Sequence, residues 1–272
     1  MADHYSHAVI WRRSAWLMFA VMLAALPVLS SWYQSTHRGF ESDTDDQSDN
    51  GPPIWPLPED ETEARKARLV NLLLPAIQNN NRKLLEKRAR LTELHQRIEA
   101  NKPLARDDQA WLQDLSQRYR LDMPQPLDSA WSRVLLRRID LVPADLALAQ
   151  GALESAWGTS RFAVEGNNYF GHWCFVPGCG LVPQHRREGA RHEVARFSSA
   201  AESVRRYMHN LNSHPRYTEL RLIREKARQQ GQTFTGSDLA AGLEGYSELG
   251  EEYIGMVRGL IRQNSFDRFS DY

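Results

Sequence analysis

Between Leu69 and Ile98, apolar residues recur at helical spacing among Arg, Lys, Glu and Gln: Leu69, Leu72, Leu73, Ala76 and Ile77, then Leu84, Leu91, Leu94 and Ile98. That spacing puts them on one face of a 3.6-residue period, so it predicts two amphipathic helices, or one bent near Pro75. A third helix is expected in "ARDDQAWLQDLSQRYRL", starting near Asp107 or Asp108, whose carboxylates suit a helix N-terminus. After Pro124 and Pro126 the pattern tightens. Asp128 can cap one helix, and Pro143 fits the first turn of another, where no amide hydrogen is needed. Between Phe170 and Phe197 the helical period disappears. Gly, Pro, Cys and charged residues take over, with a short alternating piece at "HEVARF", which reads as a loop and a small hairpin. Helical spacing returns at Val204, Tyr207, Met208 and Leu211, at Leu220 and Ile223, and at Tyr253, Ile254, Val257, Leu260 and Ile261. The expected class is mainly α, formally α+β, with one small β-hairpin insertion and no internal repeat.

A different pattern opens the chain. After Arg12 and Arg13, no charge occurs from Ser14 to Trp32, a length sufficient to cross a bilayer. Its length favours an uncleaved anchor over a cleaved signal peptide. Arginines before it and the acidic "ESDTDDQSD" after it orient the N-terminus to the cytoplasm and the rest to the periplasm. Residues from Thr36 to Pro58 are acidic and then proline-rich, which reads as a solvated spacer. The expected organisation is 1–35 anchor or signal, 36–58 linker, 59–124 helical extension and 125–272 main domain. The whole chain has 272 residues, 42% hydrophobic and 25% charged, enough for a sizeable core. Lys+Arg and Asp+Glu both number 34, so no net field recruits nucleic acid as a partner.

Candidate chemistry starts with the two cysteines, Cys174 and Cys179, in "WCFVPGC". In an exported chain this spacing around a Pro-Gly turn reads as a disulfide. His172, Cys174, Cys179 and His185 also supply zinc-type ligands, and the oxidising compartment expected above puts the disulfide first. The second candidate is Glu154 in "ALESAWGTSRF". Leu146, Ala149, Leu153, Ala156 and Trp157 make its helix apolar over most of its circumference, and Glu154 is the sole charge between Asp145 and Arg161. A carboxylate there faces a cleft or the core, near the negative end of the helix dipole, and both surroundings favour protonation. A carboxyl group protonated near neutral pH is what glycosidic bond cleavage requires of a general acid. The alternatives are a solvated surface charge or a pair with Arg161.

The residues that follow add a resemblance. "ESAWGTSRFAVEGNNYFGHW" resembles the signature of the glucosaminidase family, glycoside hydrolase family 73, at Glu154, Ser155, Gly158, Ser160, Asn167, Asn168, Phe170 and Gly171. Phe197, Ser203, Tyr207 and Tyr217 are similar to a downstream helix of that family, and Tyr246 to its Gly-Tyr segment. The likeness runs from about Leu127 to Phe266. It implies a lysozyme-like helical domain that cleaves β-1,4 bonds of peptidoglycan glycan strands, with Glu154 as acid and Tyr246 near it in the cleft. It further implies that Ser155, Asn167, Asn168, Phe170, Gly171 and Trp173 line the substrate site, with stacking aromatics and hydrogen-bonding asparagines. A second carboxylate would come from the hairpin, as Glu188 or Glu193, or be replaced by the substrate's own acetamido group assisted by Tyr246. No metal or organic cofactor is expected. A muramidase or lytic transglycosylase, and a non-catalytic peptidoglycan-binding or scaffolding module, are the competing readings.

Overall fold

A computed structural model of the chain describes residues 59–184, 186, 189 and 191–270. The apolar run Ser14–Trp32, the spacer to Pro58, His185 and Glu188 lie outside the described residues. No helix among the described residues is long and apolar enough to cross a membrane.

The pattern from Leu69 to Ile98 belongs to a single 39-residue helix, Glu61–Glu99. The Asp60 carboxylate accepts the Glu63 amide at 2.9 Å, and Glu61 and Glu63 complement the positive helix end. Pro75 does not end this helix. Proline removes one backbone bond and crowds the preceding turn, but Leu69, Val70, Leu73 and Leu74 before it and Ile77 after it are all buried, so packing on both sides holds the helix through it.

The second helix, Arg106–Arg118, carries Asp107 and Asp108 in its first turn as expected, and begins at Ala105 without a side-chain cap. Helix Ser129–Arg138 is capped by Asp128, which accepts the Trp131 amide at 2.6 Å. Pro143 stands one position outside the helix it introduces, as the N-cap of Ala144–Ser155. Helices Ala200–Ser213, Thr218–Gln229 and Glu251–Gln263 complete the frame, with short helical turns at Arg161–Gly166, Gly236–Leu239 and Phe266–Phe269.

The β insertion is a three-stranded antiparallel sheet rather than a hairpin. Strands β1 (Trp173–Cys174) and β2 (Gly180–Leu181) flank β3 (Glu193–Ala195), with Trp173 opposite Val194 and Gly180 opposite Ala195. A disulfide joins Cys174 to Cys179 and closes the loop between the outer strands. Gly180 is needed here because a Cβ would collide with the Val194 carbonyl oxygen. The extra strand went unread because segments of two or three residues are too short to show an alternation.

Helix Ala144–Ser155 is the centre of the molecule, with ten of its residues buried. The long helix packs against it and against Ser129–Arg138 and Ala200–Ser213. Residues of the expected N-terminal extension therefore share one continuous core with the main domain: Leu73, Leu74 and Ile77 belong to the same buried cluster as Leu146, Leu148, Tyr207 and Val257. Gly151 permits this approach: a Cβ there would sit 2.8 Å from Leu73 Cδ1.

Candidate active site

The central helix ends in three successive residues of positive φ, Ala156 (50°), Trp157 (60°) and Gly158 (79°). Non-glycine residues pay about 1–2 kcal/mol each for that conformation, so the turn needs support. Ser155 supplies it: its hydroxyl donates to the Gly151 carbonyl and accepts the Gly158 amide at 2.7 Å. Ser155 is fully buried. The side chain shapes the turn from inside the core.

Glu154 lies in the last helical turn and is half-buried. Its Oε1 accepts the Tyr253 hydroxyl at 2.7 Å, and Oε2 lies 3.3 Å from where a Cβ on Gly171 would be. Arg161 is not its partner. That guanidinium donates to the Val182 carbonyl at 2.7 Å and pairs with Glu165 at 3.9 Å. Burial raises the pKa of Glu154, and the Tyr253 bond, which favours the ionised form, only partly offsets that effect.

Behind Tyr253 stands a directed chain of buried hydrogen bonds. Gln150 Nε2 donates to the Tyr253 hydroxyl at 2.9 Å, and the Tyr207 hydroxyl donates to Gln150 Oε1 at 2.6 Å. Gln150 and Tyr207 are fully buried. With its hydroxyl oxygen occupied by Gln150, Tyr253 aims its own proton at Glu154. Burial first, and then the charge of Glu154, push the Tyr253 phenol far above its ordinary pKa, so it remains a donor. Neither Gln150 nor Tyr253 figured as a site residue in the sequence reading. One signal for Gln150 was present, since it is a polar residue four positions before Glu154 on an apolar helix, and therefore on the same face.

The segment after the short helix Arg161–Gly166 brings Gly171 to the carboxyl group. Asn167 ends that helix at φ 48° and donates to the Phe197 carbonyl at 3.2 Å. The Asn168 amide donates to the carbonyls of His172 (2.9 Å) and Ala195 (2.8 Å) and accepts the amides of His172 (3.1 Å) and Phe170 (3.4 Å). Asn168 is 1% exposed and Phe170 2% exposed, the latter stacked on Tyr207 with ring centroids 4.0 Å apart. Both side-chain polar atoms of Asn168 are thus engaged by the turn and strand β3, and the Phe170 ring is a core group.

Tyr246 stacks on Tyr253 at 5.3 Å and donates its hydroxyl to the Phe170 carbonyl at 3.0 Å. It thus packs on the last helix and also stands beside the Glu154 partner. Burial, then the neighbouring Tyr253, raises its pKa well above the ordinary value. Gly171 is exposed, with φ 66°. Trp173 is 61% exposed and stacks one face on His192 at 4.2 Å, which leaves an aromatic surface to solvent.

Glu193 is held elsewhere. Its carboxylate accepts the amides of Gly178 (3.0 Å) and Gly180 (2.8 Å), and these bonds hold its pKa below the usual carboxylate range. Both oxygens are thus engaged in closing the disulfide loop. The zinc alternative fails on chemistry, since the two sulfurs are bonded to each other and are not thiolates. His172, the other described member of that set, is half-buried, and desolvation of its ring, then the charge of Arg206, lowers its pKa to about 4.

The fold and site together define a helical domain arranged around one half-buried acid and a ring of tyrosines. Residues 133–265 match the family model described as mannosyl-glycoprotein endo-beta-N-acetylglucosaminidase, and this part of the chain is a domain of the glucosaminidase family of glycoside hydrolases. Protein Bax of Escherichia coli (strain K12) is 32% identical over 157 residues, which cover 58% of this chain and 56% of that protein. The chain thus spans about half the length of the curated relative it matches. No solved structure matches the chain.

Proposed function

We propose that this domain is a β-N-acetylglucosaminidase of lysozyme-like fold that hydrolyses β-1,4 bonds in peptidoglycan glycan strands, with Glu154 as the general acid. The observation that carries the reading is the Glu154 carboxyl itself. Burial raises its pKa, a 2.7 Å bond from Tyr253 fixes Oε1, and Oε2 lies at the exposed Gly171. A carboxyl group anchored at one oxygen and accessible at the other can hand its proton to a departing sugar oxygen.

For the nucleophile, the reading that agrees with the loop-bound Glu193 is the substrate's own acetamido oxygen. It would attack the anomeric carbon as the glycosidic bond breaks and Glu154 protonates the leaving oxygen. Water, deprotonated by Glu154, would then open the cyclic intermediate. Tyr246, a phenol held protonated beside Tyr253, would assist the acetamido group, and the open face of Trp173 would stack on a sugar ring. The apolar run Ser14–Trp32 would anchor the enzyme in the inner membrane facing the periplasm, an oxidising compartment that agrees with the Cys174–Cys179 bond.

The test is mass spectrometry of fragments released from purified peptidoglycan by the protein and by Glu154→Gln. Reducing-end N-acetylglucosamine from the first and none from the second is the expected result. Muramic acid ends, reducing or anhydro, would move the activity to the other linkage. Binding to sacculi without any release would leave only a carbohydrate-binding module.

A further inference from the structure

A cavity of about 260 Å³ bordered by the long helix, Ser129–Arg138 and Thr218–Gln229 is lined by Arg88, Arg133, Arg137, Arg224 and Arg228 against only two carboxylates, Asp140 and Glu225. It lies before the start of the central helix. Glu154 is in that helix's last turn, ten residues beyond Ala144 at about 1.5 Å rise each, so roughly 15 Å separates them.

Part of this cluster is structural. Arg224, 1% exposed, donates to the carbonyls of Leu141 (2.6 Å) and Arg137 (3.0 Å) and to Asn212 Oδ1 (2.8 Å). Arg228 grips Asp140 with two bonds, at 3.1 and 2.8 Å, and Arg88 lies 3.4 Å from the same carboxylate. Asp140 is therefore already shared by three guanidiniums, Arg224 at 3.8 Å being the third.

The remaining donors exceed what the protein accepts. Arg137 gives its Nε to Glu225 at 2.7 Å, and both of its terminal nitrogens lack an acceptor among the described residues. Arg88 bonds the Leu136 and Ile139 carbonyls through Nη1 alone. Arg133 reaches only Glu99, at 3.9 Å, and stays half-exposed at the cavity rim. Planar guanidinium forks of this kind match the paired oxygens of carboxylate and phosphate groups. Burial and the mutual repulsion of Arg88, Arg224 and Arg228 pull the Arg224 pKa down to about 10 despite the attraction of Asp140, and an added negative charge would relieve that repulsion.

We propose that this cavity binds an oxyanion, the phosphate or carboxylate group of a ligand other than the glycan bond held at Glu154. Glycan cleavage and anion binding use different residues, so either reading can fail without the other.

The experiment is calorimetric titration of the full chain with sodium phosphate and, separately, sodium acetate, at constant ionic strength set with chloride. The expected result is saturable one-to-one binding of at least one anion with a Kd of about 1 mM or tighter, weakened about tenfold in R133Q/R137Q. Arg133→Gln alone removes only a 3.9 Å surface pair, so it keeps the fold and must show part of the loss. Saturation by phosphate alone identifies a phosphate ligand, and saturation by acetate identifies a carboxylate. No saturable binding of either anion, or binding that both variants leave unchanged, overturns the proposal.

Discussion

Tyr253→Phe separates the tuning of the acid from the scaffolding of the core. The substitution keeps the ring stacked on Tyr246 and deletes the 2.7 Å bond to Glu154. That bond favours the carboxylate, so its loss raises the Glu154 pKa beyond what burial already does. A hydrogen bond to a charged group contributes about 1.5–3 kcal/mol, and 1.36 kcal/mol corresponds to one pKa unit, so the shift is about one to two units upward. The acid works in its protonated form, and activity falls as pH rises through its pKa. The alkaline limb of kcat/KM, followed by clearing of a peptidoglycan suspension, is therefore expected to move to higher pH in the variant. Tyr207→Phe is the control. It removes a 2.6 Å bond to Gln150 two steps from the carboxyl group, and is expected to cost about 1–3 kcal/mol of stability through the unsatisfied Gln150 oxygen while leaving the limb in place. A limb that stays still or moves to lower pH in Tyr253→Phe would refute the assignment of Glu154 as the titrating acid.

Three further outcomes are expected. Glu154→Gln removes a group whose native pKa is raised, so the stability tied to its protonation is present in acid and lost as pH rises through the native pKa. The variant should thus gain about 1 kcal/mol near neutral pH, roughly 3 °C in Tm, with the gain vanishing as the medium is acidified, as thermal unfolding across pH will register. Gly171→Ala forces a left-handed residue at φ 66° and puts a methyl 3.3 Å from Glu154 Oε2. The strain is about 1–2 kcal/mol, and hydrolysis should fall more steeply than a loss of folded protein explains, measured by kcat/KM beside the unfolding midpoint. Glu193→Gln should keep kcat/KM within about twofold while loosening the disulfide loop, because the wild-type carboxylate accepts two loop amides; a collapse of activity in a protein that still unfolds at the same temperature would restore Glu193 as a catalytic base.

The sequence made Glu154 visible because a single charge on an apolar helix has few inexpensive places to go. It could not show what Glu154 touches, since Tyr253 lies 99 positions away and its spacing with Ile254, Val257 and Ile261 reads as ordinary core. The long helix was legible as an amphipathic face, and Pro75 as a candidate bend, but the partner of that face was not. Gly151, which admits Leu73, is the residue that joins the expected extension to the main core, and a glycine inside a helical pattern announces no neighbour.

The motif residues show a more general limit. Ser155, Asn168 and Phe170 are buried, and Asn167 is half-buried with its amide on the Phe197 carbonyl. The reason is local. Three consecutive positive φ angles after Ser155 and the turn from Asn167 to Gly171 leave many backbone groups without helix or sheet partners, and short polar side chains are what satisfy them. A signature that includes such residues therefore records the construction of a corner. What the corner delivers is small: one carboxyl oxygen fixed by Tyr253, the other at a glycine that leaves room beside it. If that is its purpose, a substitution at Asn168 should act through the position of Gly171, lowering kcat/KM together with the thermal stability, whereas one at the exposed Trp173 should raise KM and leave stability unchanged.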